Sequence, residues 1–389
     1  MKNKEIILHL SLIDGIGPVT IKKLLRNKPE TFALVDLYNV QAADCMRLFG
    51  FSHTISQKIV AGLRNKKNLE KELSLIEKYN INWTSLWQDD FPQLLSEIYA
   101  PPSVFYWQGA EVCEEKNIAI IGSRKAHRYA QEVVSYFVPE LVQHGWTIVS
   151  GGALGADSMA HREAVKAGGA TVVVLGSGLL RPYPSSHKNL FDSVLKNGGT
   201  LVSAFPLETQ ARPGNFPARN RIIAGLSHGC VVVQAAKKSG ARITAQFALE
   251  QGREVFAVPG PVGDELSVGC HALIQEGAKL VGSVEDILVE FDPLFSKQDD
   301  KIKKADSKKK TKNSLPSQGS GKVVKKKEQD LNGLNEVEAQ IVGACKFASS
   351  VDDIASAVQR DPAELHELLL DLQFGGYIQQ NYAGLWERA

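Results

Sequence analysis

The sequence predicts an α/β protein with an extended Rossmann-like parallel sheet at its centre, a helical region before it and a winged helix after it. Three observations carry this expectation. From about residue 115, short apolar runs alternate with helical stretches, the pattern of parallel strands joined by crossover helices. Glycine-rich or basic loops follow several of those runs, where such sheets hold their ligands. A lysine-rich stretch almost without large apolar residues then separates this region from a last periodic segment.

Taken in order, residues 1–85 read as a domain of short helices. Leu12-Ile13-Asp14-Gly15-Ile16-Gly17-Pro18 is a turn between two apolar-periodic runs, and Pro18 suits the first turn of the next helix, where its missing N–H is not needed. A weaker echo, Leu48-Phe49-Gly50-Phe51-Ser52, precedes a helix over Ile55–Leu63. Residues 86–294 form the α/β domain. Its strand candidates are Ile118–Ile121, Thr147–Val149, Thr171–Leu175, Thr200–Ser203, Cys230–Val233 and Val255–Val258, with helices such as Ala126–Gln143 and Ile243–Gln251 between them. Residues 295–332 hold too little apolar surface to fold alone and read as a flexible linker. Residues 333–389 recover periodicity, with helices over 335–345, 351–359 and 362–374. A short hairpin follows at Tyr377–Ile378 and Leu385–Trp386, the order of a winged helix.

Composition narrows the classes. A chain of 389 residues with 43% hydrophobic content suits two or three globular domains. No apolar run approaches the roughly 18 residues that span a bilayer. The start of the chain has no secretory pattern. The cysteines, Cys45, Cys113, Cys230, Cys270 and Cys345, are scattered without a C-x-x-C pair, so neither a disulfide framework nor a zinc site is expected and a reducing cytoplasm fits best. Charge is uneven: residues 1–80 carry 13 Lys/Arg against 8 Asp/Glu, residues 297–327 carry 12 Lys against 3 Asp, and the rest of the chain is net −12. A polyanion bound by the centre must therefore meet a local basic cluster.

Four loops supply such a cluster. In Ile121-Gly122-Ser123-Arg124, glycine admits a close ligand, the serine hydroxyl can meet an oxyanion and the arginine offers bidentate charge for phosphate. Ser150-Gly151-Gly152-Ala153-Leu154-Gly155-Ala156-Asp157 presents glycine amides before a helix, although it matches neither the G-x-G-x-x-G fingerprint nor a P-loop. Asp157 and His161 stand i, i+4 on that helix. A helix-start carboxylate with a partnered histidine is the plain reading, and a catalytic pair the sharper one. Asn215, Phe216, Arg219, Asn220 and Arg221 open the next helix. Cations there oppose the helix dipole, which argues for an anionic partner, and Phe216 offers a face for base stacking or packs in the core. Lys237, Lys238 and Arg242 complete the set before another helix. All four loops follow parallel strands and should converge on one crevice, better matched to a phosphodiester chain than to a single small anion. No G-x-S-x-G elbow, H-E-x-x-H motif, metal-ligand cluster or carboxylate pair accompanies them, so no catalytic residue, metal or cofactor is expected.

Together these segments resemble the DNA-processing protein A (DprA/Smf) family in order and spacing. So do Asp90-Phe91-Pro92-Gln93-Leu94-Leu95, Ala100-Pro101-Pro102, Val258-Pro259-Gly260 and Cys270-His271-Ala272-Leu273-Ile274-Gln275-Glu276-Gly277-Ala278. The likeness is close over roughly 90–290. It implies a SAM-like, helix-hairpin-helix-related N-terminal domain and a winged-helix C-terminal one. It also implies a non-enzyme that binds and protects single-stranded DNA and loads RecA during natural transformation. Its DNA pocket falls on Arg124 and the basic residues of the third loop. It further implies a homodimer, formed around the His271–Leu280 segment with Ile274, Gln275 and Leu280 at the contact. Tyr183-Pro184-Ser185 departs from relatives that carry a basic residue after Tyr-Pro, and the lysine-rich linker is not a fixed family feature. The competing class is a lysine-decarboxylase-like nucleotide phosphoribohydrolase, whose Pro-Gly-Gly-x-Gly-Thr-x-x-Glu loop is absent here. A sequence-specific regulator is a third reading. Its recognition helix, Asp361–Phe374, would carry Asp361, Glu364, Glu367 and Asp371 without a cation, a poor match to phosphate.

Overall fold

The computed structural model describes residues 2–112, 115–291, 336–345, 351–358, 360, 365, 368, 369, 372, 377–380 and 386–388. The chain divides into two compact units, Met1–Ser307 and Lys308–Ala389.

The first unit is built on a sheet of β1 (Asn82–Ser85), β2 (Val104–Gly109), β3 (Asn117–Ile121), β4 (Thr147–Ser150), β5 (Thr171–Val174), β6 (Thr200–Ser203), β7 (Gly229–Val232), β8 (Glu254–Ala257) and β9 (Lys279–Leu280). Their order is β1-β2-β6-β5-β4-β3-β7-β8-β9. All neighbours from β6 to β9 are parallel, while β1 and β2 add an antiparallel edge. The six strands expected from sequence are present, displaced by a residue at some ends. Three more escape the sequence reading: β1 lies inside the segment read as helical, β2 precedes the alternating region, and β9 is only two residues long.

β3, β4, β5 and β6 are buried at every residue, as expected where helices cover both faces of a parallel sheet. Alternate side chains sort by face. Ile118 and Ile120 of β3 pack with α7 (Arg128–Gln143), α8 (Ala156–Lys166) and the helical residues 285–291. Ala119 and Ile121 pack with α10 (Asn215–Gly225), α11 (Gly240–Glu250) and α12 (Val268–Gln275). The chain steps from β3 out to β6 and returns across the sheet to place β7 on the other side of β3. At such a reversal the loops leave on opposite faces and a crevice opens outside the strand ends.

Before the sheet lie α1 (Asn3–Ser11), α2 (Pro18–Asn27), α3 (Ala42–Phe49), α4 (His53–Arg64) and α5 (Lys67–Lys78). Pro18 takes the first turn of α2 as expected. Ser52 caps α4 by accepting from the Ile55 amide. These helices share one apolar cluster with Val104, Tyr106, Val173 and Leu201 of the sheet. A buried polar link reinforces it. Glu72 of α5 accepts from the Leu207 amide at 2.8 Å. Next to it Lys71 and Glu208 pair at 2.5 Å.

In the second unit, α13 (Glu336–Ala344) and α14 (Val351–Val358) match two expected helices. The expected hairpin is β10 (Ile378–Gln380) paired antiparallel with β11 (Trp386–Arg388). Ile341, Ile354, Leu365, Leu369, Ile378 and Trp386 form its core. The helix expected over 362–374 lies largely outside the described residues, and so do Asp361, Glu364, Glu367, Asp371 and the segment 295–332.

Burial pushes the Glu72 carboxyl above its ordinary range, so the folded state holds that proton more tightly than the unfolded chain. Such a group costs stability as pH rises from the ordinary carboxyl range through the raised value. Glu72→Gln is therefore expected to melt no lower than the parent at pH 7, and the difference should shrink as pH falls towards 4.5, the ordinary carboxyl value. Glu72→Ala leaves the Leu207 amide unpaired and should lose about 1–3 kcal/mol. Thermal melts across pH check both.

Candidate nucleic-acid interface

A crevice of about 520 Å³ lies at the carboxyl ends of β3, β4 and β7, where the topology places it. The loop after β3 contributes Gly122, Ser123, Arg124 and Lys125. The start of α8 contributes Asp157, α10 contributes Arg219 and Asn220, and the entry to α11 contributes Lys238, Ser239 and Gly240. Ser239 caps α11 by accepting from the Ala241 amide, so that helix starts at the crevice wall. Arg124, Lys125 and Lys238 are exposed, and they gather positive charge beside the start of α11.

A narrower slot adjoins the crevice through Arg124, Ala153 and Arg219, and adds Gly151, Leu154, Tyr183, Pro184 and Phe216. Arg124 lies over the Phe216 ring at 5.0 Å from its centroid. Tyr183 leans on the same ring, with centroids 5.9 Å apart, and is 50% exposed. Leu154 is also exposed beside them. In the sequence Tyr183 stands out only as part of Tyr183-Pro184-Ser185, where Ser185 replaces a basic residue of relatives. The local signal for its role is its place in the loop after β5, which holds Gly176 and Gly178 but is not among the four loops expected to build the crevice. Lys125 is a further residue outside that expectation, although it adjoins Arg124.

Several of the residues expected to contact DNA are buried or engaged within the fold. Arg219, expected among the residues of the DNA pocket, is 3% exposed. Its Nη1 donates to the carbonyls of Gly151 and Val174. Arg221 is aimed elsewhere: it donates to the Ala100 and Ala218 carbonyls and lines a separate cavity with Ile16, Pro18 and Tyr106. Arg242 donates from Nη2 to both carboxylate oxygens of Glu276, at 2.6 and 2.9 Å. Lys237 is exposed but does not line the crevice. Asn215 donates to the Gly176 and Gln210 carbonyls, and Asn220 reaches the Gly240 carbonyl at 3.4 Å.

The glycines also act differently from the expectation. A Cβ on Gly122 would meet the Ala156 Cβ at 2.7 Å, and one on Gly152 would meet Val173 at 2.7 Å. Gly151 is enclosed by the Arg219 guanidinium and the Asp157 carboxylate, and its amide donates to Asp157. These positions need glycine for close packing beneath the crevice. Asp157 and His161 do not pair. Asp157 accepts from the Gly151 and Ala153 amides, whereas His161 bonds the Thr171 hydroxyl at 2.8 Å. Burial pulls the His161 imidazole down to about 3, with the Arg219 charge adding to the effect, so it is neutral near pH 7. Burial raises the Asp157 carboxyl while the Arg219 charge and the two amides draw it back. Burial lowers Arg219 to about 10, with Asp157 opposing, so the guanidinium stays charged at neutral pH. Among the described residues no three His, Cys, Asp or Glu are grouped to hold a metal, and no helix is long and apolar enough to cross a membrane.

Fold and site together define a parallel α/β protein with a cationic crevice at its strand reversal and an aromatic slot beside it. Residues 82–292 match the family described as DNA recombination-mediator protein A, and the chain belongs to that family. It is 40% identical over 245 residues to DNA processing protein DprA of Bacillus subtilis (strain 168), covering 61% of this chain and 82% of that protein. It is 42% identical over 224 residues to protein Smf of Escherichia coli (strain K12), covering 57% of this chain and 60% of that one. Among solved structures, DNA processing protein A from Streptococcus pneumoniae superposes with a TM-score of 0.63 at 33% identity, over 75% of this chain and 99% of that one.

A methyl group at residue 151 would lie 2.6 Å from the Arg219 Cζ and 2.7 Å from the Asp157 Oδ2. Gly151→Ala is therefore expected to lower stability by about 1–3 kcal/mol, the usual cost of overpacking. Denaturant titration measures it, and an unchanged midpoint would show that the loop yields freely.

Proposed function

We propose that this chain is a single-stranded-DNA-binding recombination mediator that protects incoming DNA and loads RecA during transformation. The observation that carries the reading is the junction at Arg124, where an exposed guanidinium joins a crevice suited to phosphates to the Tyr183–Phe216 slot. Phosphates are met by charge without regard to sequence. An aromatic slot takes base faces, which a single strand exposes and a duplex hides. Membership of a recombination-mediator family agrees with this reading.

The finer parts of the proposal follow. The N-terminal helices are a SAM-like domain and the second unit a winged helix. The latter is supported by α13, α14 and the β10–β11 hairpin. Two copies associate through Ile274, Gln275 and Leu280. Leu280 is 50% exposed on β9, the last strand in the sheet order, and Gln275 is exposed, while Ile274 also packs against the core. The protein works in the cytoplasm, without a cofactor. The phosphoribohydrolase alternative finds no support in Asp157, the carboxylate lining the crevice, because two backbone amides and the Arg219 charge already engage it.

Fluorescence anisotropy with single- and double-stranded oligonucleotides of equal length tests the reading. Single strands should bind more tightly, with little dependence on sequence. Tyr183→Ala should weaken them by about 1–3 kcal/mol, the worth of one stacked base. Equal affinity for both forms, with no effect of Tyr183→Ala, would defeat it.

A further inference from the structure

The geometry points to Arg219 as the positioning residue of the strand-binding crevice, acting from below it together with Asp157 rather than by touching the strand. The inference rests on the single-strand reading above. Arg219 is 3% exposed although it lines both cavities, so it forms their floor. Its Nη1 ties the Gly151 carbonyl, in the loop after β4, to the Val174 carbonyl at the end of β5. Asp157 takes the amide of the same Gly151 at 3.2 Å and that of Ala153 at 3.3 Å. Opposite charges thus hold the carbonyl and the amide of one glycine.

The grip extends to the residues proposed to meet DNA. Asp157 lies in the first turn of α8, and the next residue towards the N-terminus, Ala156, donates its amide to the Ser123 carbonyl. A Cβ on Gly155 would collide with the backbone of Ser123 and Arg124, so the start of α8 and the Arg124 loop are in direct contact. On its other side the Arg219 guanidinium lies 5.9 Å from the centroid of Phe216, the ring beneath Arg124. Arg219 therefore joins the loops after β4 and β5 to the slot ring, while Asp157 connects the same glycine to the Arg124 loop. A lysine at 219 would keep the charge but lose the planar guanidinium.

The salt dependence of binding separates positioning from contact. For a single strand, removing one cation that meets a phosphate makes the slope of log affinity against log salt shallower by about 0.7. Arg124→Gln, which removes a cation proposed to touch the strand, should show that change. Arg219→Gln should lower affinity on the order of 10-fold or more through misplacement, with the slope unchanged. It should also shrink the penalty of Tyr183→Ala, because a disordered slot has less stacking to lose. A purely structural role would lower the melting temperature and leave the Tyr183 penalty intact, which would overturn the inference. A slope change in Arg219→Gln equal to that of Arg124→Gln would overturn it too, as would unchanged affinity. Should the unpaired Asp157 prevent Arg219→Gln from folding, the Arg219→Gln/Asp157→Asn double variant removes both charges and is judged by the same measurements. Absence of single-strand binding by the parent chain would instead count against the functional reading itself.

Discussion

A guanidinium buried below the crevice demands compensation. Moving an arginine from water to a protein interior costs several kcal/mol unless its donors and its charge are both answered. For Arg219 the answer is partial: Nη1 donates to two carbonyls at the ends of β4 and β5 and the Asp157 charge acts on the guanidinium across Gly151, while the buried Nε has no acceptor among the described residues. Much of the local sequence follows from this requirement. Residue 151 must lack a side chain, residue 157 must be acidic and short, and α8 must begin close enough to deliver it. The crevice above inherits its shape from a charge that solvent barely reaches.

The architecture is legible in the sequence because its signal is periodic. Strands buried on both faces read as apolar runs, and the helices between them force a parallel sheet. β1 and β2 are less legible because they form an antiparallel pair outside the alternation, and no periodicity rule links Asn82 to Trp107. The crevice lies where the rule that loops after parallel strands converge places it. Composition can identify the basic loops, but it cannot show which basic residues point into the crevice. Arg219 and Arg221 are two residues apart in α10. A helix turns about 100° per residue, so two such positions diverge widely. One lies under the crevice and the other reaches Ala100. Arg242 illustrates another limit: its partner, Glu276, is remote in sequence.

Glycine is the most misleading signal. A run such as Ser150–Gly155 suggests backbone offered to an anion, yet in this fold it serves close packing. Gly155, at φ +76°, adopts a conformation unfavourable to other residues and lets α8 meet the Arg124 loop. The Gly151 amide, which the anion reading would give to phosphate, donates to Asp157. Affinity in the proposed reading therefore passes from backbone amides to side chains: Arg124, Lys125 and Lys238 for charge, and Tyr183 with Phe216 for bases.

That shift reconciles an acidic centre with a polyanionic ligand. Outside its two basic stretches the chain is net −12, so its overall field there does not favour a nucleic acid. Exposed charges farther apart than about 10 Å are largely screened at 0.1 M salt. Distant carboxylates therefore weaken little of what three cations in one crevice wall can offer a phosphate lying against them. A duplex would gain from the same cations and would bring twice the charge, so charge alone would favour it. In the proposed reading the preference for single strands comes from the slot, where the half-exposed Tyr183 ring stands beside that of Phe216. Because Arg124 borders both spaces, a nucleotide can place its phosphate against the guanidinium only while its base lies near the rings. A paired base cannot leave its stack to do so without the cost of unpairing, which runs to a few kcal/mol. In this reading discrimination is set by the distance between one guanidinium and one ring, the distance that the buried Arg219 helps to maintain.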